Sequence, residues 1–229
     1  MILGIDGPAG AGKSTISKLI AQELGFACLD TGAMYRSVAW QAVHDGVSLD
    51  DDEALGNVAR THQIEFVTEA GNALPKQVLI GGVDVTSAIR TAEIDRAVSP
   101  VSAAPSVRAA LLDQQRRIGA SGDYVVEGRD ICTVVFPHAD VKVFLTASAD
   151  ERARRRVAQN KERGVGDTDF EAVRADIIRR DEYDSTREVA PLRQAEDAVL
   201  VDSSDMGVDE VVSFICGLVR TAQKEQEKR

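Results

Sequence analysis

Cysteine is scarce in this 229-residue chain: Cys28, Cys132 and Cys216 are the only three, and they lie far apart. That excludes a disulfide framework and a cysteine-rich zinc site of the usual spacing. Histidine is equally rare; His44, His62 and His138 fall outside every motif described below and read as surface or loop residues. Long apolar runs are missing too. The stretch 211–219 is broken by Ser213 and Gly217, far short of the roughly 20 residues that span a bilayer. The opening MILGIDGPAG has no basic patch ahead of an apolar segment and no cleavage site, so no secretory signal is expected. Positive charge is in deficit: the net charge is −10, a poor match to the phosphate backbone of nucleic acid. These absences point to a cytoplasmic enzyme or binding protein with neither nucleic acid nor membrane as partner.

What remains, 44% hydrophobic and 28% charged residues, is the mix of an ordinary globular protein, long enough to bury a core without disulfides. At about 100–200 residues per domain, it suggests one domain, or one core with an inserted subdomain. Charge is unevenly spread. Of 27 basic residues 20 are arginine, and ten of these lie between positions 152 and 193. Residues 151–193 carry a net charge of +1 in a chain that is otherwise strongly acidic. Arginine presents a planar fork of donors that matches pairs of phosphate oxygens. For most of these side chains a solvated helix face with charge pairs is the plainer account.

Short apolar runs alternate with amphipathic stretches, the pattern of an α/β protein. Strands are predicted at 1–5, 26–29, 124–127, 141–145 and 198–201, and helices at 14–24, 32–43, 92–99, 106–118, 148–163, 170–183 and 208–224. In the first helix Ile16, Leu19, Ile20 and Leu24 share a face, and Gly25 ends it. DDDE at 50–53 reads as an acidic loop or helix start, and Ser148 with Glu151 as a capping box. Between 64 and 86 the grammar changes to the β runs IEFV, VLIGG and VDVT, separated at 69–72 and 81–82, which predicts a small antiparallel insertion. A loop is expected at 164–168, and the tail QKEQEKR is expected to fray. Five apolar strands linked by helices imply a five-stranded parallel sheet with helices on both faces.

Gly7, Pro8, Ala9, Gly10, Ala11, Gly12, Lys13 and Ser14 fit GxxxxGK[ST], directly after an apolar run and directly before a helical pattern. The glycines let successive backbone N–H groups turn inward, and a helix beginning near Lys13 adds its positive dipole end. Lys13 can reach the β- and γ-phosphates, and the Ser14 hydroxyl can ligate Mg²⁺. Such a P-loop cradle binds a nucleoside triphosphate without saying for what. A guanine-reading NKxD is absent, since Asn160-Lys161 continues as Glu162-Arg163; this argues against a switch GTPase. A small P-loop protein without that signal reads as a phosphotransferase, with its acceptor site at the C-terminal ends of the strands. Asp30-Thr31-Gly32-Ala33-Met34-Tyr35-Arg36 follows the second strand and Glu127-Gly128-Arg129-Asp130 the third, each placing an arginine beside hydroxyls or carboxylates.

IDGPAGAGKST, LDTGAMYR, IRTAEI, EGRDICTVVFP, KVFLTAS and the REVAPL after Asp184 together resemble bacterial cytidylate kinase, a P-loop nucleoside monophosphate kinase, from Ile5 to about Ser203. The resemblance implies phosphoryl transfer from ATP to CMP or dCMP with Mg²⁺, by a monomer. It implies a core P-loop domain at 1–35, 100–150 and 188–229, an inserted monophosphate-binding subdomain at 36–99 with a small antiparallel sheet, and a helical lid at 151–187. By position, the run from Gly7 to Ser14, with Thr15 and Arg156, would serve ATP, and Ser14 the metal. Arg36 and Arg129 would hold the acceptor phosphate. Ser99, Arg108 and Asp130 would face the cytosine, and Arg180, Asp184 and Arg187 would reach sugar and phosphates. Thr31, also on the CMP side, stands where many members carry serine and keeps the hydroxyl. Lys13, Arg129, Arg156 and Arg180 would carry the catalysis.

The base-facing set is chemically coherent. Asp130 can accept from the cytosine N4 amino group, and Arg108 can donate to N3 and O2; uracil reverses both patterns. The plainer alternative for Asp130 is an ion pair to a neighbouring arginine. Because the acceptor is already an oxyanion, no covalent intermediate and no strong base are required, and alignment with charge neutralisation suffices. Cys132, beside the GRD sequence, reads as packing. Kinases for UMP, AMP or shikimate, and a non-catalytic nucleotide-binding module, remain the alternatives; Lys13, Ser14 and the acceptor motifs speak against the last.

Overall fold

The computed structural model describes residues 1–69, 72–164 and 166–228. Ala70 and Gly71 in the expected 69–72 turn, Val165 in the expected 164–168 loop and the terminal Arg229 lie outside the described residues. The chain opens with β1 (Ile2–Asp6), α1 (Lys13–Leu24), β2 (Ala27–Asp30), α2 (Thr31–His44) and α3 (Asp52–Thr61). Next come β3 (Ile64–Thr68), β4 (Pro75–Ile80), β5 (Val83–Asp84), a 3₁₀ turn at Ala88–Arg90, α4 (Ala92–Ala103), α5 (Pro105–Gly119) and β6 (Tyr124–Gly128). A π-helical turn at Ile131–Val135 then leads to β7 (Val141–Thr146), α6 (Ala149–Arg163), α7 (Phe170–Thr186), β8 (Val199–Asp202) and α8 (Val208–Gln226).

The main sheet has the order β2-β6-β1-β7-β8, and every pairing is parallel. Strand side chains alternate between faces, and the core divides accordingly. Leu3, Ile5, Val125 and Val143 face Ile16 and Ile20 of α1 and Val211 and Ile215 of α8. Leu29 and Val126 face a second core built by α2 to α5, including Met34, Val38, Leu55 and Leu111. Gly4 on β1 has no side chain to offer this second core, and Cys132 fills the space: a Cβ on Gly4 would lie 2.8 Å from its sulfur. The small sheet β3-β4-β5 is antiparallel, as expected, and anchors to the second core through Ile64, Val78 and Ile80. A minor cluster of Ala153, Val173 and Ile177 joins α6 to α7.

Four expectations need correction. Leu19 is 36% exposed; the buried stripe of α1 is Ile16, Ser17, Ile20 and Ala21, whose small members let the helix lie close to the sheet. α5 begins at Pro105, a residue suited to the first helical position, and Ser106 instead bonds Asp52 through its N–H at 3.0 Å and its hydroxyl at 2.7 Å. The last strand, β8, is an edge, so Val199 and Leu200 are exposed rather than covered on both sides. α8 runs to Gln226, taking in part of the tail expected to fray. Among the described residues, no helix is long and apolar enough to cross a membrane.

The Asp52–Ser106 bonds sit where α3 and α5 press together. A Cβ on Gly56 would lie 2.4 Å from the Cβ of Ser106, so the helices are as close as a glycine permits. Gly56→Ala is expected to destabilise the protein by about 1–3 kcal/mol through overpacking, measured as a shift in the urea midpoint at unchanged slope.

Candidate active site

The C-terminal ends of β1, β2 and β6 open onto one cavity of about 1050 Å³, at the upper end of the range for small-molecule sites. The glycine-rich loop after β1 forms one wall. Gly7, at φ 153°, packs so tightly that a Cβ would meet the Leu145 carbonyl at 1.9 Å. Lys13 lies on the first turn of α1, and its Nζ donates to the carbonyls of Gly7 at 2.7 Å and Pro8 at 2.9 Å. Burial, with Arg129 next, holds this ammonium well below its usual range, while Glu127 and Asp6 oppose the shift.

Glu127 is the penultimate residue of β6, beside the same loop. Its Oε2 accepts from the Ser14 hydroxyl at 2.9 Å, and its Oε1 is buried without a partner. Burial, reinforced by Asp30, pushes the carboxyl up to about 7. Among the described residues, no group of three or more His, Cys, Asp or Glu forms a metal cage. A hydroxyl and a carboxylate with an unused oxygen instead suit a hard cation that keeps water and phosphate as its other ligands, as Mg²⁺ does.

The turn that follows β6 is fixed from β1. Asp6 accepts the N–H groups of Ile131 and Cys132, both at 2.8 Å, and so holds the π-helical turn directly after Asp130. Burial pushes the Asp6 carboxyl up to about 6, against the lowering by those two bonds. Asp130 is buried and paired with Arg108, which also lies 5.5 Å over the ring of Tyr35. Arg187 stands 3.6 Å from the other Asp130 oxygen. It is itself held by the Ala190 carbonyl, which accepts from Nε at 2.8 Å and NH2 at 2.5 Å. Ala190 adopts φ 51°, a left-handed conformation that costs an alanine energy.

Further pairs cross the cavity: Arg129 with Asp184 at 2.9 Å, Arg36 with Asp95 at 2.5 Å and Arg90 with Asp30 at 2.9 Å. Arg180 has a buried Nε without a partner, and burial together with Arg129 pushes its guanidinium down to about 10. Arg156 is lowered by burial and by Arg36, against the pull of Asp95. So much concentrated positive charge, incompletely matched, is suited to polyanions.

The cavity gathers Ala9 to Thr15, Thr31, Arg36, Arg108, Arg129, Asp130, Arg156, Arg180, Asp184 and Arg187. Gly7 and Pro8 lie behind its wall. Ser99 does not line it; its carbonyl accepts from Ser102 at 3.0 Å, and Ser102 is the serine that reaches the cavity. The Thr31 hydroxyl donates to the Glu127 carbonyl at 2.7 Å, tying α2 to β6. Sequence reasoning gave no role to Asp6, Arg90, Asp95, Arg152 or Arg155. Arg152 donates to the Ala9 carbonyl at 3.0 Å and so braces the loop, while Arg155 donates to the Ser203 carbonyl after β8 at 2.6 Å and reaches the Ala11 carbonyl of the loop at 3.5 Å. Asp6 did carry a signal, as a carboxylate closing an apolar strand just before the glycines.

The family model described as cytidylate kinase matches residues 3–221. The chain belongs to the cytidylate kinase family. A family member from Saccharophagus degradans, a cytidylate kinase, is 45% identical over 97% of this chain and 98% of its own length. A cytidylate kinase from Ligilactobacillus salivarius is 48% identical over 95% of each. A bifunctional pantoate ligase/cytidylate kinase from Synechococcus is 49% identical over 96% of this chain, which spans 42% of that longer protein. Among solved structures, a gluconokinase from Sinorhizobium meliloti aligns over 99% of this chain and 96% of its own at TM-score 0.48 and 15% identity, a likeness that adds nothing to the topology above.

The Asp6 bonds give a pH test of this family member. Its carboxyl moves from 3.8 to about 6 on folding, so the folded state binds the proton more tightly than the unfolded chain. That contribution is fully present below the lower value and fades as pH rises through the upper one. Asp6→Asn should therefore destabilise most near pH 4, with the deficit shrinking to a plateau above pH about 6.5; urea unfolding of both proteins across that range measures it.

Proposed function

We propose that this chain transfers the γ-phosphoryl group of ATP to CMP or dCMP by direct in-line transfer, giving ADP and CDP or dCDP. The observation that carries the reading is the buried Arg108–Asp130 pair, set in the same cavity as the glycine-rich loop. Asp130 offers an acceptor to an amino group, and Arg108 offers donors to ring acceptors, which is the complement of cytosine. Uracil would set oxygen against carboxylate and N–H against guanidinium, leaving buried polar groups unsatisfied at about 1–3 kcal/mol or more.

Loop amides and Lys13 would hold the donor phosphates, and Arg36 and Arg129 the acceptor phosphate. Arg180, Asp184 and Arg187 would reach the sugar and phosphates, with Ser102 rather than Ser99 at the cavity wall. Arg156 and Arg180 would meet the charge that spreads over the transferring group. Ser14, backed by Glu127, would hold Mg²⁺, which supplies further neutralisation of phosphate charge when bound. No protein nucleophile is needed. In this reading 36–99 receives the monophosphate and 151–187 forms a lid over a P-loop core, and the enzyme works as a cytoplasmic monomer on free nucleotides.

The test is ADP release with ATP, Mg²⁺ and each of CMP, dCMP, UMP, AMP and shikimate in turn. The cytidine nucleotides are expected to be turned over fastest; no preference for them overturns the reading. Asp130→Ala is expected to lower kcat/KM for CMP by about tenfold to a hundredfold while leaving ATP affinity nearly unchanged in direct titration. Lys13→Ala should lower kcat by about 10²–10³-fold.

A further inference from the structure

Asp95 of α4 lines the same cavity as Arg36, Arg156 and Arg180. Its Oδ1 accepts from Arg36 NH2 at 2.5 Å, and α4 packs against α7, which carries Arg180. Burial alone would raise this carboxyl, yet Arg36, and behind it Arg156 and Arg180, hold it below the usual carboxylate range. One carboxylate therefore faces three of the arginines that the proposed reading gives to phosphate groups. Among the described residues, the only other hydrogen bond from the Arg36 guanidinium runs from NH1 to the Ile89 carbonyl at 3.2 Å. One N–H of its NH2 is taken by Asp95.

A phosphate carries more charge than a carboxylate and engages the arginine fork in pairs. Bound to the same NH2, it would sit at contact distance from Asp95, and the two anions would repel. We propose that Asp95 is an internal occupant of the arginine cluster, an affinity-setting residue that the acceptor phosphate displaces from Arg36. Asp95 offsets the repulsion among the arginines and sets a threshold that an incoming anion has to exceed. The identity of the acceptor rests on the cytidylate kinase reading; the competition itself concerns any tetrahedral oxyanion. If Asp95 instead served to aim Arg36 at the acceptor, its loss would act with the opposite sign and weaken anion binding.

Asp95→Asn keeps the size and removes the charge. The probe is inorganic sulfate, titrated at constant ionic strength and followed by thermal unfolding. The variant should melt lower than wild type without sulfate, gain more from it, and bind it about fivefold more tightly. In steady state, KM for CMP should fall by a similar factor with kcat nearly unchanged, and sulfate should inhibit at correspondingly lower concentration. Asp95→Glu, which keeps the charge, should stay within about twofold of wild type. Sulfate affinity that is unchanged or weaker in Asp95→Asn overturns the proposal, as does an equal gain in Asp95→Glu. Asp95→Ser carries the same expectation should the asparagine variant not fold. Tighter sulfate binding in a protein that does not phosphorylate CMP would sink the functional reading and leave this one standing.

Discussion

Arginines crowded into one cavity repel each other and lose hydration together, and the rest of the site is arranged around that cost. Arg156, Arg180 and Arg187 are all held below their ordinary range, with burial as the first cause and neighbouring arginines behind it. Asp95, Asp130 and Asp184 are interleaved among them. Each pair joins different parts of the fold: α2 to α4, α5 to the turn after β6, and that turn to α7. Convergence of these elements on one cavity is thus a condition of charge balance as well as of apolar packing. The buried pair of Arg108 with Asp130 adds little net stability, but losing one partner would leave an uncompensated charge.

In the proposed reading the two ends of the cavity would handle negative charge differently. At the glycine-rich end the donors are main-chain amides and one lysine, whose positions follow from the strand-turn-helix geometry. At the other end they are side chains, whose positions depend on partners far away in sequence. Two buried carboxylates, Asp6 and Glu127, stand between these ends and oppose the lowering of Lys13. Glu127 also accepts from Ser14, and Asp6 fixes the turn behind Asp130. The carboxylates that moderate the lysine therefore also connect the loop to the acceptor side.

This contrast explains what could be read from the sequence. The glycine-rich loop, the five strands and the antiparallel insertion rest on local patterns, namely glycine spacing, apolar runs and period-two alternation, and the structure has them where those patterns fall. The motif-based residues from Ala9 onward gather in one cavity, apart from Ser99, displaced in favour of Ser102 one turn further along α4, while Gly7 and Pro8 lie behind its wall. Ion pairs were not legible: Arg36 and Asp95 are 59 residues apart, and Arg90 and Asp30 are 60. Nor was the fate of Arg154, Arg155 and Arg156, three consecutive arginines on one helix. Arg154 stays in solvent beside Glu151, Arg155 holds Ser203 after β8, and Arg156 turns into the cavity. Helical rotation of about 100° per residue separates them, but only the packing of α6 decides which direction is inward.

Helix α7 links the two ends most directly. Asp181 receives Arg152 at 2.6 Å, and the same guanidinium nitrogen donates to the Ala9 carbonyl in the glycine-rich loop. Asp184 receives Arg129 at 2.9 Å on the acceptor side. Three residues of helix place these carboxylates on one face, about 4.5 Å apart along the axis. The in-line transfer proposed above would demand that donor and acceptor be held at a defined separation to well within an ångström. A pair of acids on one rigid helical turn, each gripping an arginine from an opposite wall, provides a spacer of that stiffness. A shift of α7 would displace both walls together rather than change the gap between them.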